Sequence, residues 1–310
     1  MHVLAGVLMD GAGRILIAQR PPGKHLAGMW EFPGGKVEPG EEPLAALERE
    51  LDEELGIAVD PLSFEELIRV PWNYGERSML LQAVVVRAWS GEPRALDAAA
   101  IAWHLPNDID PALLAPADRP ILAALWLPEH YPITPAEASV AEATTLVRAA
   151  LARGERLLHW RLPGVPVEEA RTGAAALLPE VARFGARLVL NRDIEGARAL
   201  GVGVHLSAAQ LHELMERPLP LGMLVGASCH NAEELALASG LGCDFATLSP
   251  VEDTASHPDA SPLGWPRFAK WVENASLPVY ALGGLGPADV PMARMHAAQG
   301  VAGIRGFWSR

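Results

Sequence analysis

A chain of 310 residues with a formal net charge of −13 repels polyanions, which argues against broad binding to nucleic acid polymers or anionic membrane surfaces. The length favours two domains over one, and a composition that is 50% hydrophobic can bury a core in each. The two cysteines, Cys229 and Cys243, match no zinc spacing and build no disulfide framework, so a reducing compartment is expected.

The first residues, MHVLAGVLMDGAGR, lack a basic flank, and their apolar run breaks at Asp10. No stretch is long and apolar enough to span a bilayer, and a soluble, cytoplasmic protein is expected. Residues 2–20 read as strand, turn, strand, with Asp10-Gly11-Ala12-Gly13 as the turn. A glycine-rich loop follows, then an acidic helix from Pro43 to Leu55. Strand-like runs come next, LLQAVVVRAW among them, and prolines cluster over residues 106–135, which marks the boundary region. We place the domains at 1–129 and 130–310.

On the acidic helix, Glu50, Glu53 and Glu54 stand at i, i+3 and i+4 and share one face, while Leu47, Leu51 and Leu55 form a second, apolar one. Three carboxylates held together repel unless a cation sits between them. Mg²⁺ or Mn²⁺ suits their hard oxygens and leaves room for phosphate oxygens, so the negative net charge does not exclude a nucleotide substrate. A solvated acidic face is the alternative for so short a pattern.

The longer spacing is more specific. Gly35, five residues, Glu41, seven residues, then Arg49-Glu50-Leu51-Asp52-Glu53-Glu54-Leu55-Gly56-Ile57 matches every fixed position of the Nudix box, and the chain resembles the Nudix hydrolases. Its flanks, Gln19-Arg20, His25 and Trp30-Glu31-Phe32-Pro33-Gly34-Gly35-Lys36, look like the MutT type, which hydrolyses oxidised purine nucleoside triphosphates. The likeness covers residues 3–128. It implies an α/β/α sandwich and a divalent metal held by Glu53, Glu54 and the Gly34 carbonyl. Glu50 would be a ligand or base, Arg49 would orient the carboxylates, and Glu41 would brace the loop. The implied products of 8-oxo-dGTP are the monophosphate and pyrophosphate. Arg20, His25, Phe32, Gly35, Lys36 and Asp118 are the candidate substrate-binding residues. Arg20 is a phosphate clamp or a surface arginine. Asp118 reads the base or caps the helix that follows it. Phe32, Trp72 and Tyr74 stack on a base or fill the core. One departure is Ala102, where the resemblance calls for a glutamate; Asp97 replaces it only if the loop is arranged differently.

The second half changes character. Eight short apolar runs, YPIT, LLHWRL, RLVLN, GVHLS, LVGASC, FATLS, PVYALGG and GVAGIRG, alternate with alanine-rich helical stretches. This predicts a (β/α)8 TIM barrel; an open doubly wound sheet shares the local pattern. Gly283-Gly284 after the seventh run and Gly306 after the eighth favour the barrel, whose last two loops often hold phosphate.

This half resembles thiamine phosphate synthase and the TenI-type thiazole tautomerases. The likeness rests on Tyr131-Pro132-Ile133-Thr134, Leu188-Val189-Leu190-Asn191, Gly203-Val204-His205-Leu206, Ser228-Cys229-His230-Asn231-Ala232-Glu233-Glu234 and Ala281-Leu282-Gly283-Gly284. The synthase has acidic metal-binding residues after its third and fourth strands. Here the fourth ends Ser207-Ala208-Ala209-Gln210, and after the third only Asp193 could serve. His230 occupies the position of the tautomerase histidine, a candidate proton shuttle or a helix cap. Ser249, Thr254, Ser256 and His257 follow on the next loop. Gly283, Gly284, Arg305 and Gly306 are candidates to hold a phosphorylated thiazole-like ligand through backbone N–H groups.

The leading expectation is a Mg²⁺-dependent nucleoside triphosphate pyrophosphohydrolase joined to a barrel of open activity. The rivals are a thiamine-biosynthesis enzyme with an accessory Nudix domain and a barrel that only senses a phosphate ligand.

Overall fold

The computed structural model describes residues 1–75, 77–254 and 261–308, and the chain divides into two compact units, Met1–Trp126 and Leu127–Arg310. Among the described residues no helix is long and apolar enough to cross a membrane.

The first unit runs β1 (His2–Leu8), β2 (Ile15–Gln19), β3 (Trp30–Glu31), α1 (Pro43–Leu55), β4 (Ala58–Val59), β5 (Phe64–Tyr74), β6 (Arg77–Val86), β7 (Trp89–Ser90), β8 (Ala100–His104) and α2 (Arg119–Trp126). β6 lies between β1, parallel to it, and β5, antiparallel to it. The two-residue period of the strands separates two cores. Leu4, Leu8, Val84 and Val86 meet Leu47, Leu51 and Leu55 of α1. Ala5, Val7, Leu81, Ala83 and Val85 meet Ile121 and Leu122 of α2. The three α1 leucines are fully buried, each contributing about 1.5–3 kcal/mol. This is the expected α/β/α sandwich.

The strand–turn–strand over residues 2–20 is present, but its strands part company. β2 pairs with β3 and β8 in a second, antiparallel sheet, and Met9 and Ile15 form an isolated bridge across the turn. The Asp10 carboxylate accepts the N–H groups of Ala12 and Arg14, both at 2.9 Å, and so sets the turn.

Among the described residues the second unit carries eight strands: β9 (His130–Pro132), β10 (Leu157–Trp160), β11 (Arg187–Asn191), β12 (Gly203–Leu206), β13 (Val225–Cys229), β14 (Phe245–Leu248), β15 (Val279–Leu282) and β16 (Gly300–Gly303). Each pairs in parallel with the next, and β16 pairs with β9. A single bridge, Ile133 to His159, completes the ring between β9 and β10. Among the described residues, seven helices connect the strands: α3 (Val140–Arg153), α4 (Val167–Arg183), α5 (Ile194–Leu200), α6 (Ala208–Glu213), α7 (Ala232–Leu241), α8 (Gly264–Val272) and α9 (Val290–Met295). The barrel is therefore the fold, not an open sheet. Its lumen is packed with rings: Tyr131 stacks on His159 at 5.5 Å and meets Phe245 edge-on at 5.2 Å. The Tyr131 hydroxyl reaches His205 Nδ1 at 3.1 Å, and His205 Nε2 reaches Ser228 Oγ at 3.0 Å.

Candidate functional site

The glycine loop before α1 is pinned to β1. The Leu4 N–H donates to the Gly35 carbonyl at 2.8 Å, and the Gly6 N–H to that of Pro33 at 2.7 Å. At Gly34, φ is +140° and a Cβ would fall 2.3 Å from the Leu4 carbonyl oxygen. At Gly35 a Cβ would fall 2.2–2.3 Å from the Glu50 carboxylate atoms. Only a chain without side chains here lets the loop touch β1 on one side and Glu50 on the other.

The helix carboxylates then take different places. Glu54 Oε2 accepts the Gly34 N–H at 2.9 Å. Its burial, together with the charges of Glu31, Glu50 and Asp97, pushes its pKa up to about 7 against that hydrogen bond. Glu50 accepts Arg49 Nη1–H at 3.0 Å. Glu53 faces solvent, its side chain 60% exposed, 3.4 Å from the same Nη1. Arg49 also clamps Glu41, through Nε at 3.0 Å and Nη2 at 3.1 Å, and donates to the Lys36 carbonyl. Glu41 in turn accepts the Glu38 N–H at 2.9 Å, which ties the loop to the helix.

A cavity of about 1020 Å³ opens in front of this wall. Arg20, His25, Phe32, Gly34, Gly35, Lys36, Glu50, Glu54 and Asp118 all line it, and Glu53 is not among the lining residues. Sequence reasoning passed over Glu31, which lines it too. Burial raises the Glu31 pKa, and Arg20 opposes the rise through a direct ion pair. Arg20 also donates to the His25 carbonyl at 2.6 Å. The signal for Glu31 was its place next to Phe32, at the end of a strand that pairs with β2 just before Arg20. Asp97 lines the same cavity, 2.6 Å from Lys24 Nζ. Ala102 sits opposite Ile17 in the β2–β8 ladder.

Asp118 is 7% exposed, and its Oδ1 accepts the Phe32 N–H at 3.0 Å. The carboxylate bonds a strand end 86 residues away, which displaces the helix-cap alternative. Burial pushes its pKa up to about 7. Tyr74 lines the cavity nearby, its ring edge-on to His25 at 5.4 Å. Phe32 belongs to the α2-side core as well as to the cavity wall, and Trp72 packs against that core.

The donor set of this wall fits a hard divalent cation. It offers carboxylate oxygens that repel one another, with a helix arginine holding their orientation. Among the described residues, no three His, Cys, Asp or Glu side chains stand together in an arrangement that could hold a metal ion.

In the barrel, the ends of β14, β15 and β16 surround a cavity of about 380 Å³ lined by Gly283, Gly284, Arg305 and Gly306, with Ser249, Asp253 and Thr254. At Gly283, φ is +108° and a Cβ would meet Pro250 at 2.8 Å. His230 lies beside this cavity. Its Nδ1 lies 3.1 Å from the Ser249 carbonyl and 3.3 Å from the Ser249 hydroxyl. The cap of α7 is Asn231, whose side chain accepts the Glu234 N–H at 2.9 Å, so His230 is not the cap. Ser256 and His257 lie outside the described residues.

The strand ends expected to offer metal ligands do not. Asp193 is held by Arg171, with Nε–Oδ2 and Nη2–Oδ1 both 2.6 Å, and it caps α5 through the Gly196 N–H at 3.0 Å. Ser207 and Gln210 form a reciprocal capping box at the start of α6. These residues do not fit a divalent cation.

Comparison with known proteins agrees with this division. The thiamine monophosphate synthase family model matches residues 130–307, and the NUDIX domain model matches residues 4–124. The 8-oxo-dGTP diphosphatase of Proteus vulgaris is 42% identical over 92 residues, 30% of this chain and 80% of the relative. That of Escherichia coli K12 is 31% identical over 125 residues, 40% of this chain and 95% of the relative. The thiamine-phosphate synthase of Methylobacillus flagellatus is 32% identical over 183 residues, 58% of this chain and 87% of the relative. With an acid-walled Nudix cavity in one unit and a glycine-rimmed barrel in the other, the chain belongs to the thiamine monophosphate synthase family and carries a Nudix hydrolase domain at its N-terminal end.

Proposed function

We propose that the first unit is a Mg²⁺- or Mn²⁺-dependent pyrophosphohydrolase that converts 8-oxo-dGTP to its monophosphate and pyrophosphate. The observation that carries this reading is one cavity with two kinds of lining. The carboxylates of Glu50 and Glu54 line it, and so do the buried Asp118, which holds the Phe32 N–H, and the ring pair of Tyr74 and His25. A nucleotide seated there has its base against Asp118 and its phosphates against the carboxylate wall. The 8-oxo-dGTP diphosphatase relatives support the oxidised purine as substrate.

What a divalent cation supplies when bound is charge compensation for the phosphates and acidification of a water. The chain's own residues do the rest. The Gly34 N–H and Arg49 orient Glu54 and Glu50. Glu53 completes the carboxylate set from the solvent side, and Glu50 is the group placed to take a proton from water. Lys36 and Arg20 face the phosphates, and the Asp118 oxygen not used by Phe32 meets the base edge. The test is a nucleotide panel with pyrophosphate detection, comparing 8-oxo-dGTP with dGTP, other dNTPs, nucleotide sugars and dinucleoside polyphosphates. Equal rates on 8-oxo-dGTP and dGTP reject the sanitising reading and leave a broader hydrolase.

For the barrel, the cavity at Gly283, Gly284, Arg305 and Gly306 favours a phosphorylated, thiazole-like ligand, with His230 as its proton shuttle. Synthase coupling expels pyrophosphate and calls for metal ligands that these strand ends lack. Turnover of a thiazole phosphate tautomer by the full chain, lost in His230→Ala, is the expected result; its absence leaves the barrel a sensor.

A further inference from the structure

We propose that Leu26 is a specificity-determining residue of the Nudix cavity, which sets an apolar side chain against the nucleoside part of the substrate and not against its phosphates. The inference rests on the reading of the first unit as a nucleotide pyrophosphohydrolase, and on no particular base.

Three observations carry it. First, Leu26 is held in a backbone conformation that disfavours a side chain. It lies on the loop between β2 and β3, and its φ is +58°. The same loop turns left-handed at positions 23 and 28, and both are glycine, with φ of +87° and +85°. A glycine at 26 would sit there without strain, so a leucine in this place needs another reason.

Second, the conformation is imposed from both sides of the Cα. The His25 carbonyl accepts Arg20 Nε–H at 2.6 Å, and the Leu26 carbonyl accepts the Met29 N–H at 3.1 Å. These bonds hold the two peptide planes that flank Leu26. The loop ends are tied as well: the Gly28 N–H donates to the Arg20 carbonyl at 3.0 Å, and the Arg20 N–H to that of Met29 at 2.9 Å. The direction of the Leu26 side chain is therefore set in advance of a ligand, which lowers the cost of binding.

Third, the core makes no use of that side chain. Residues 22–25, 27 and 28 are exposed, whereas Leu26 is half-buried and lines the cavity that Glu50, Glu54 and Asp118 also line. Among the described residues, it belongs to neither apolar core of the unit and is not among the half-buried side chains packed against them. It offers hydrocarbon to a cavity whose lining includes Phe32, Tyr74, Met79 and Leu81. Hydrocarbon gains free energy by covering a base or sugar face and gains none against a charged phosphate. Carboxylates that hold a cation meet any diphosphate alike, so it is Leu26 that separates nucleotides from other polyphosphates.

The test is steady-state kinetics of the full chain with Mg²⁺ on its best nucleoside triphosphate, together with inhibition by inorganic pyrophosphate, which carries no base. Leu26→Gly and Leu26→Asn should each raise KM about tenfold, with kcat within about twofold of the parent. Both residues suit the left-handed backbone, so Tm should not fall. The Ki of pyrophosphate should stay where it is. Leu26→Met restores apolar reach and should bring KM back to within about threefold of the parent. Parent KM in both the Gly and Asn variants overturns the proposal. So does an equal rise in the Ki of pyrophosphate, which would show that the loop shapes the whole site, or a loss confined to kcat. A parent chain that hydrolyses no nucleotide rejects the hydrolase reading and this inference with it. An active parent whose KM ignores Leu26 rejects this inference alone.

Discussion

The Glu50 carboxylate lies against Gly35, where a Cβ would fall 2.3 Å from Oε1 and Oε2 alike. The position of this carboxylate therefore depends on the absence of a side chain on the facing loop. Gly35→Ala should swing Glu50 away and lower hydrolysis by about tenfold to a hundredfold, since catalytic groups tolerate little displacement. Stability should fall little, because the clashing atoms end a flexible side chain. Parallel measurement of kcat and Tm checks this; a large Tm loss with unchanged kcat would show that the contact is structural.

Glu53→Gln should reduce metal-dependent turnover about a hundredfold or more while leaving Tm near wild type. The side chain is solvent-exposed, so its loss costs the fold nothing. Glu54→Gln should lose activity as strongly but gain stability above pH 7, where the buried carboxylate of the parent is ionised. Near-normal turnover of Glu53→Gln at saturating Mg²⁺ would confine the metal to Glu50 and Glu54.

Asp118 carries a pH signature. Its folded pKa is raised from 3.8 to about 7, so folding favours the protonated acid. Its contribution is most favourable below about pH 4 and is lost as pH rises through about 7. Asp118→Asn keeps an oxygen for the Phe32 N–H and removes the charge. It should match the parent at pH 4 and exceed it above pH 7 by up to about 4 kcal/mol. Chemical denaturation across this range is the check, and parallel curves for both proteins contradict it. Asp118→Ala should separately flatten the preference for 8-oxo-dGTP over dGTP without changing the Mg²⁺ requirement.

The full chain should not rescue a strain lacking thiamine phosphate synthase, and it should form no thiamine phosphate with Mg²⁺ in vitro. The bidentate grip of Arg171 on Asp193 and the capping box of Ser207 and Gln210 leave no acidic set at those strand ends. Rescue would move the catalytic emphasis to the second unit.

Local periodicity carried much of this protein in one dimension. The leucines at 47, 51 and 55 announced α1, and eight apolar runs announced the barrel strands, because burial on one face leaves a repeat that needs no knowledge of distant neighbours. The spacing from Gly35 to Ile57 likewise named the Nudix domain. Three-dimensional packing decided what those residues face. At 100° per residue, Glu54 and Glu53 flank Glu50 by about 40° on one side and about 60° on the other. Spacing alone defines that arc, and the pinned loop at Gly34 and Gly35 decides that Glu50 and Glu54 look into the cavity while Glu53 looks out. Asp118 and Phe32 are 86 residues apart, and Arg171 and Asp193 are 22 apart. Neither pairing leaves a periodic trace, so a helix cap and a metal ligand were reasonable readings that only the folded chain could replace. The parting of β1 and β2 into separate sheets has the same cause: a turn specifies a reversal of direction, and the strands' partners are set by which apolar faces the rest of the unit covers.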